Sequence, residues 1–167
     1  MDWLFDYIHI NTFWTILLII HGLVSVALLG ALTHQAMAVL WPVRAGGADG
    51  FVARFRGVSG KRYATAVCVL WVVAFFFGAW LYAKYRIYVR IPIEQDGYYK
   101  TLGAFELKEH LVSFAFGALP AYWFLWTRDT QDAHRGARKW LTAWMAAVCW
   151  YAFLVGHVVN NVRGYGS

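Results

Sequence analysis

Four of the six histidines in this 167-residue chain lie inside long apolar stretches. They are His21, His34, His110 and His157. Ionisable side chains inside a membrane segment are costly and usually face the interior of a helix bundle, where they serve a function. An imidazole in that position can bind a metal ion or a haem iron, or bond to another helix. These four histidines are therefore the candidate centre of chemistry in the chain.

Three of the histidines share one depth when it is measured along a helix with a rise of 1.5 Å per residue. His21, His110 and His157 lie roughly 30, 24 and 26 Å from a tryptophan at the opposite end of the same apolar stretch. Those reference residues are Trp41, Trp126 and Trp140. His34 lies only roughly 10 Å from Trp41. The spacing predicts that three helices place these three histidines at one level of the bundle, here called the outer layer.

A haem b fits such a layer, because it needs one or two neutral imidazoles aimed at its iron from facing helices. We expect His110 and His157 to be the first ligand pair, since adjacent helices deliver them at matched depth. His21 is the third candidate and could replace either. Lys108 and Arg163 are placed to hold the haem propionates by charge.

His34 is the candidate ligand of a second, inner haem. It lies 13 residues after His21, which leaves the two side chains roughly 140° apart on one helix. A partner for His34 would have to come from Met145 or from His134. The number of haems, one or two, therefore stays open, and the alternative for His34 is a polar contact between helices.

Two other functions use the same residues. In the first, a non-haem copper, iron or zinc site is formed by His21, His110 and His157 with Glu106 or Glu109. In the second, the chain is a structural or assembly subunit of a respiratory complex without a cofactor, and the histidines only hold helices together.

The elements that must position these residues are transmembrane helices. The chain is 60% hydrophobic and only 14% charged, which is typical of membrane proteins. Stretches of about 20 apolar residues can cross a bilayer. They predict four spans, at about 12–41, 64–83, 107–126 and 140–159, and short loops between spans favour a single up-down-up-down four-helix bundle. Pro120 is expected to kink the third span.

Charge predicts the orientation. The segments 43–63 and 127–139 carry nine basic residues against three acidic ones, whereas the termini and the segment 84–109 carry six of each. The positive-inside rule then places both termini and the loop 86–105 outside the cytoplasm. Within that loop, "RIYVRIPI" alternates as a β-strand would. The net charge of +6 is explained by topology and requires no nucleic acid.

With its four spans and the histidines His21, His34, His110 and His157, the chain resembles the small four-helix membrane cytochromes b, including the diheme quinol- or superoxide-linked kind. The resemblance implies electron transfer with a quinone on one side of the membrane. We therefore expect a b-type cytochrome of a bacterial-type inner membrane. It would carry electrons between the quinone pool and an extracytoplasmic or partner-subunit acceptor, alone or within a larger membrane complex.

Overall fold

The computed structural model describes residues 9–42, 60–128 and 133–162, and these form helices joined by short turns. Arg163, both chain ends and most of the loop between the first two helices lie outside the described residues. The helices are α1 (Ile10–Leu40), α2 (Gly60–Tyr85), a π-helical segment (Arg86–Arg90), α3 (Ile91–Gln95), α4 (Tyr99–Gly117), α5 (Leu119–Thr127) and α6 (Arg135–Val162). No β-strand occurs in these described ranges.

Three helices of the described chain are long and apolar enough to cross a membrane: Ile10–Leu40, Gly60–Gln95 and Arg135–Val162. They confirm an all-helical chain of the multi-pass membrane type. The third of the four expected spans, 107–126, is carried instead by α4 and α5, which are separate helices. The structure therefore supports the helical class but does not by itself establish four membrane crossings.

The break between α4 and α5 occurs where the sequence predicts a kink. Pro120 stands in the first turn of α5, where its missing N–H costs no helical hydrogen bond. The N–H of Ala118 still donates to Phe114 and Ala115, at 3.1 and 3.2 Å, and so closes the end of α4. The two helices therefore succeed each other with only Ala118 between them.

The strand expected in "RIYVRIPI" is wrong, because this stretch continues α2 as π-helix and then α3. The alternating pattern conceals a spacing of four residues. Tyr85, Val89 and Ile93 are all buried and pack together with Phe105 of α4. Burial of this helical face determines the conformation, since side chains four residues apart share one face of a helix. The extension ends at a turn in which Gly97 has φ of 77°, a conformation that favours glycine.

The main core lies where α1, α2, α5 and α6 meet. Leu32, Val67, Tyr122 and Met145 are completely buried there. A smaller cluster joins the α2 extension to α4 at the other end of the molecule. Between the two clusters the four helices α1, α2, α4 and α6 surround a cavity, which is described next.

Candidate functional site

A cavity of about 460 Å³, here called the main cavity, is lined by α1, α2, α4 and α6. His21 of α1 and His157 of α6 both line it. Most of the remaining wall is apolar and includes Phe75 and Phe153. A mostly apolar space of 300–1,000 Å³ with a few polar groups is the usual form of a ligand or cofactor site.

His21 is the more enclosed of the two histidines. It is half-buried, and its Nδ1 atom is buried without a hydrogen-bond partner among the described residues. Its ring packs on Gly78 of α2: a Cβ atom at Gly78 would lie 3.2 Å from Cε1 of the imidazole. Because this Nδ1 atom has almost no exposed surface, the nitrogen of His21 that could meet a group bound in the main cavity is Nε2.

His157 is exposed, but it also lines the main cavity, beside Gly156. A Cβ atom at Gly156 or at Gly22, the glycine next to His21, would meet no other atom within 4 Å. Small residues therefore leave space beside both histidines. The main cavity thus receives imidazoles from two different helices, with open space at the glycine next to each.

His110 does not line the main cavity. Its Nδ1–H donates to the main-chain oxygen of Glu106 at 2.7 Å, and its side chain is exposed. It lines instead a second space of about 310 Å³, here called the outer cavity. His110 and His157 therefore have matched depth along their helices, but His110 is turned away from the space that His157 lines.

The histidines do not gather into the expected metal cluster. Within the described ranges, no group of three or more His, Cys, Asp or Glu side chains is arranged to hold a metal ion. The proposed set of His21, His110 and His157 with Glu106 or Glu109 is not brought together. Equal depth along the helices is therefore not enough to form a metal site, because coordination also requires that the side chains face one point.

The outer cavity is lined by aromatic and charged side chains. The rings of Tyr85 and Phe105 stack at 4.0 Å between centroids and line both cavities. Arg90 bonds to Glu106 at 3.1 Å, which compensates both charges. Glu109, which also lines both cavities, is compensated by Lys108 at 2.6 Å. The outer cavity thus combines an aromatic wall with largely neutralised polar groups.

Lys108 lines the main cavity, as its expected contact with a bound carboxylate requires. Its ammonium lies 4.0 Å from the centre of the Phe105 ring, which fixes it at the cavity wall. Arg163, the other expected cation, lies outside the described residues. Asn160 lies three residues, or almost one helical turn, after His157. It lines the same cavity, and its side-chain amide can donate a hydrogen bond there.

His34 lies outside both cavities. It is buried and stacks on Tyr63 of α2, with ring centroids 4.3 Å apart. The neighbouring Gln35 donates through Nε2 to the main-chain oxygen of Gly60 at 2.9 Å. These contacts join α1 to α2. The contact of His34 is thus an aromatic stack between helices, and the polar bond between α1 and α2 is made by its neighbour Gln35. Neither contact places His34 beside one of the two cavities.

Sequence reasoning missed Gly78. Its signal was available, since it is a glycine in the interior of an apolar helix, where glycine is unfavourable unless close packing requires it. What it packs against could not be inferred, because α1 and α2 are separated by a long loop and their relative rotation is a tertiary property.

Comparison of the chain with protein-family models, with curated proteins and with solved structures gives no significant match.

Proposed function

We propose that this chain is a membrane-embedded b-type cytochrome that binds one haem b in the main cavity through His21 and His157. The observation that supports the proposal is that two histidines from α1 and α6 line one mostly apolar cavity within the helix bundle. The open space beside Gly22 and Gly156 fits the same interpretation. A bound haem would supply one-electron transfer.

The chain's own residues would bind and orient the group. His21 and His157 would hold the iron from two helices, and Phe75 and Phe153 would exclude water from the macrocycle. Lys108 and Asn160 would hold carboxylate groups at the cavity wall by charge and hydrogen bonding. Burial and the nearby Lys108–Glu109 pair would then influence the reduction potential.

We also propose that a quinone binds in the outer cavity and is the electron-exchange partner. The wall of this cavity includes the aromatic residues Tyr85 and Phe105, and its ionic side chains are paired, which favours an uncharged ligand. His110 contributes an imidazole whose Nδ1–H is already bonded, leaving Nε2 to accept a hydrogen bond from a hydroxyl group. Electrons would pass between this ligand, the haem and an extracytoplasmic acceptor or partner subunit.

The decisive experiment is a reduced-minus-oxidised visible spectrum of the purified protein with variants of the histidines. Wild type should show a low-spin b-type spectrum. His21→Ala and His157→Ala should each lose the haem or convert it to the high-spin form. His110→Ala is the matched control, because it removes an imidazole at the same depth that lies outside the main cavity.

Three outcomes would contradict parts of the proposal. A well-folded, colourless wild type would favour the cofactor-free subunit, and elemental analysis for copper, iron and zinc would then test the metal alternative. A normal spectrum in both His21→Ala and His157→Ala would contradict the ligand pair. Loss of the spectrum in His110→Ala would restore the pair His110 and His157.

The same proposal includes the location in a bacterial-type inner membrane, with four crossings and both termini extracytoplasmic. The excess of basic residues in 43–63 and 127–139 supports this orientation. For four crossings, α4 and α5 together must span the bilayer. Their 19 and 9 residues are sufficient, because about 20 helical residues cross the hydrocarbon region.

A further inference from the structure

Gly78 differs from the other two glycines that line the main cavity. A Cβ atom at Gly78 would lie 3.2 Å from Cε1, 3.8 Å from Nε2 and 3.9 Å from Nδ1 of His21. At Gly22 and Gly156 a Cβ atom would meet nothing within 4 Å. The imidazole of His21 therefore packs directly against the main chain of α2 at Gly78.

The imidazole of His21 is not held by a short hydrogen bond of the kind that holds the imidazole of His110. The Nδ1–H of His110 donates to Glu106 at 2.7 Å. The main chain of Ala74, one turn before Gly78, lies close enough to the His21 imidazole for a weak hydrogen bond. Even so, Nδ1 makes no hydrogen bond of normal geometry with any residue that the structure describes. A ligating histidine is normally held by a hydrogen bond through its other nitrogen, so packing must supply more of the orientation at His21.

The cost of a glycine at this position agrees with a packing role. Glycine in a helix interior is less favourable than alanine by about 1 kcal/mol. Gly78 lies well inside the 26-residue helix α2, away from either end. Only a glycine allows the imidazole to approach the helix backbone as closely as it does.

We propose that Gly78 is a positioning residue that holds the imidazole of His21 in the orientation needed for axial ligation. This inference rests on the proposed function, because His21 must be a ligand for its orientation to matter. In this role Gly78 acts through His21. A methyl group at position 78 would push the ring away from α2 by a few tenths of an ångström and weaken its bond to the iron.

The test compares Gly78→Ala with Gly30→Ala, a matched substitution in α1 at a glycine that lines neither cavity and whose new methyl group would meet nothing within 4 Å. Both proteins are purified with their haem and studied by visible and electron paramagnetic resonance spectroscopy. We expect Gly78→Ala to lose low-spin signal, gain a high-spin fraction and bind carbon monoxide when reduced. Gly30→Ala should match wild type in all three measurements.

A second variant separates positioning from general packing. This variant combines Gly78→Ala with His21→Ala, which removes the contact between position 78 and the imidazole. The added methyl group should therefore cause no loss of folded protein beyond that of His21→Ala alone. If Gly78→Ala fails to fold but the double variant folds, the contact with His21 is the cause and the inference is supported. If both fail to fold while His21→Ala folds, Gly78 serves helix packing in general and the inference is wrong.

The remaining outcomes distinguish this inference from the proposed function. A haem-containing wild type together with a fully low-spin Gly78→Ala would overturn only the role of Gly78. A wild-type spectrum in His21→Ala would overturn the ligand assignment and with it the positioning role. A haem-free wild type would reject the cytochrome proposal itself.

Discussion

At the residue scale, the four candidate histidines have four different surroundings. His21 is enclosed and lies over Gly78, His157 is exposed beside open space, His110 is bonded to its own helix, and His34 stacks on Tyr63. Only His21 and His157 share a cavity. The differences arise from rotation about each helix axis, since every residue step turns the side chain by about 100°. Residue type and depth alone therefore overstate the number of ligands.

A prediction about His34 follows at this scale. His34→Phe should preserve the b-type spectrum and a stoichiometry of one haem per chain, because the aromatic ring can keep the stack on Tyr63 and no ligand is lost. The measurement is haem content per protein after extraction, with His21→Ala as the control that should lose haem. Two haems in wild type and one in His34→Phe would instead show that His34 binds an inner haem.

At the element scale, close contacts at helix ends hold the bundle together. Gly60, the first residue of α2, lies against Trp126 of α5 and accepts a hydrogen bond from Gln35 of α1. The indole of Trp126 is in turn fixed, because its Nε1–H donates to Thr142 of α6 at 3.1 Å. One glycine thus brings four helices into contact at the end of the bundle opposite the main cavity.

Gly60→Ala should destabilise the protein. Its Cβ atom would lie 2.5 Å from Cζ3 of Trp126, and overpacking of this kind costs about 1–3 kcal/mol. Thermal denaturation in detergent should show a lower midpoint, with the haem spectrum unchanged below the transition. Gly103→Ala in α4 is the matched control, since its methyl group meets nothing within 4 Å and should be neutral or stabilising. Equal midpoints for the two variants would mean that Trp126 moves aside without cost.

At the scale of the whole molecule, the topology depends on the third expected span, which α4 and α5 form as two separate helices. With α4 and α5 crossing together, the chain has four crossings and its two ends lie on the same side of the membrane. With only the three long helices crossing, the ends would lie on opposite sides. The basic loops favour the first arrangement, because both then face the cytoplasm.

Cysteine labelling in intact cells tests this topology. In a background in which Cys68 and Cys149 are replaced by alanine, Asp96→Cys and Ser167→Cys should react with a membrane-impermeant maleimide. Ala137→Cys, at the start of α6, should react only after the membrane is permeabilised. Labelling of Asp96→Cys and Ser167→Cys from opposite sides would show that α4 and α5 do not cross together.

The sequence by itself determined the helical class, the membrane setting, the interruption near Pro120 and the residues capable of ligation. These properties depend on composition and on local rules of helix formation, which act over a few neighbouring residues. The tertiary structure decided which histidines face one cavity, turned the apparent strand 86–93 into a helical extension, and brought Gly78 under His21. Those outcomes depend on how each helix is rotated against its neighbours. Packing of side chains from distant parts of the chain sets that rotation, and no local pattern encodes it.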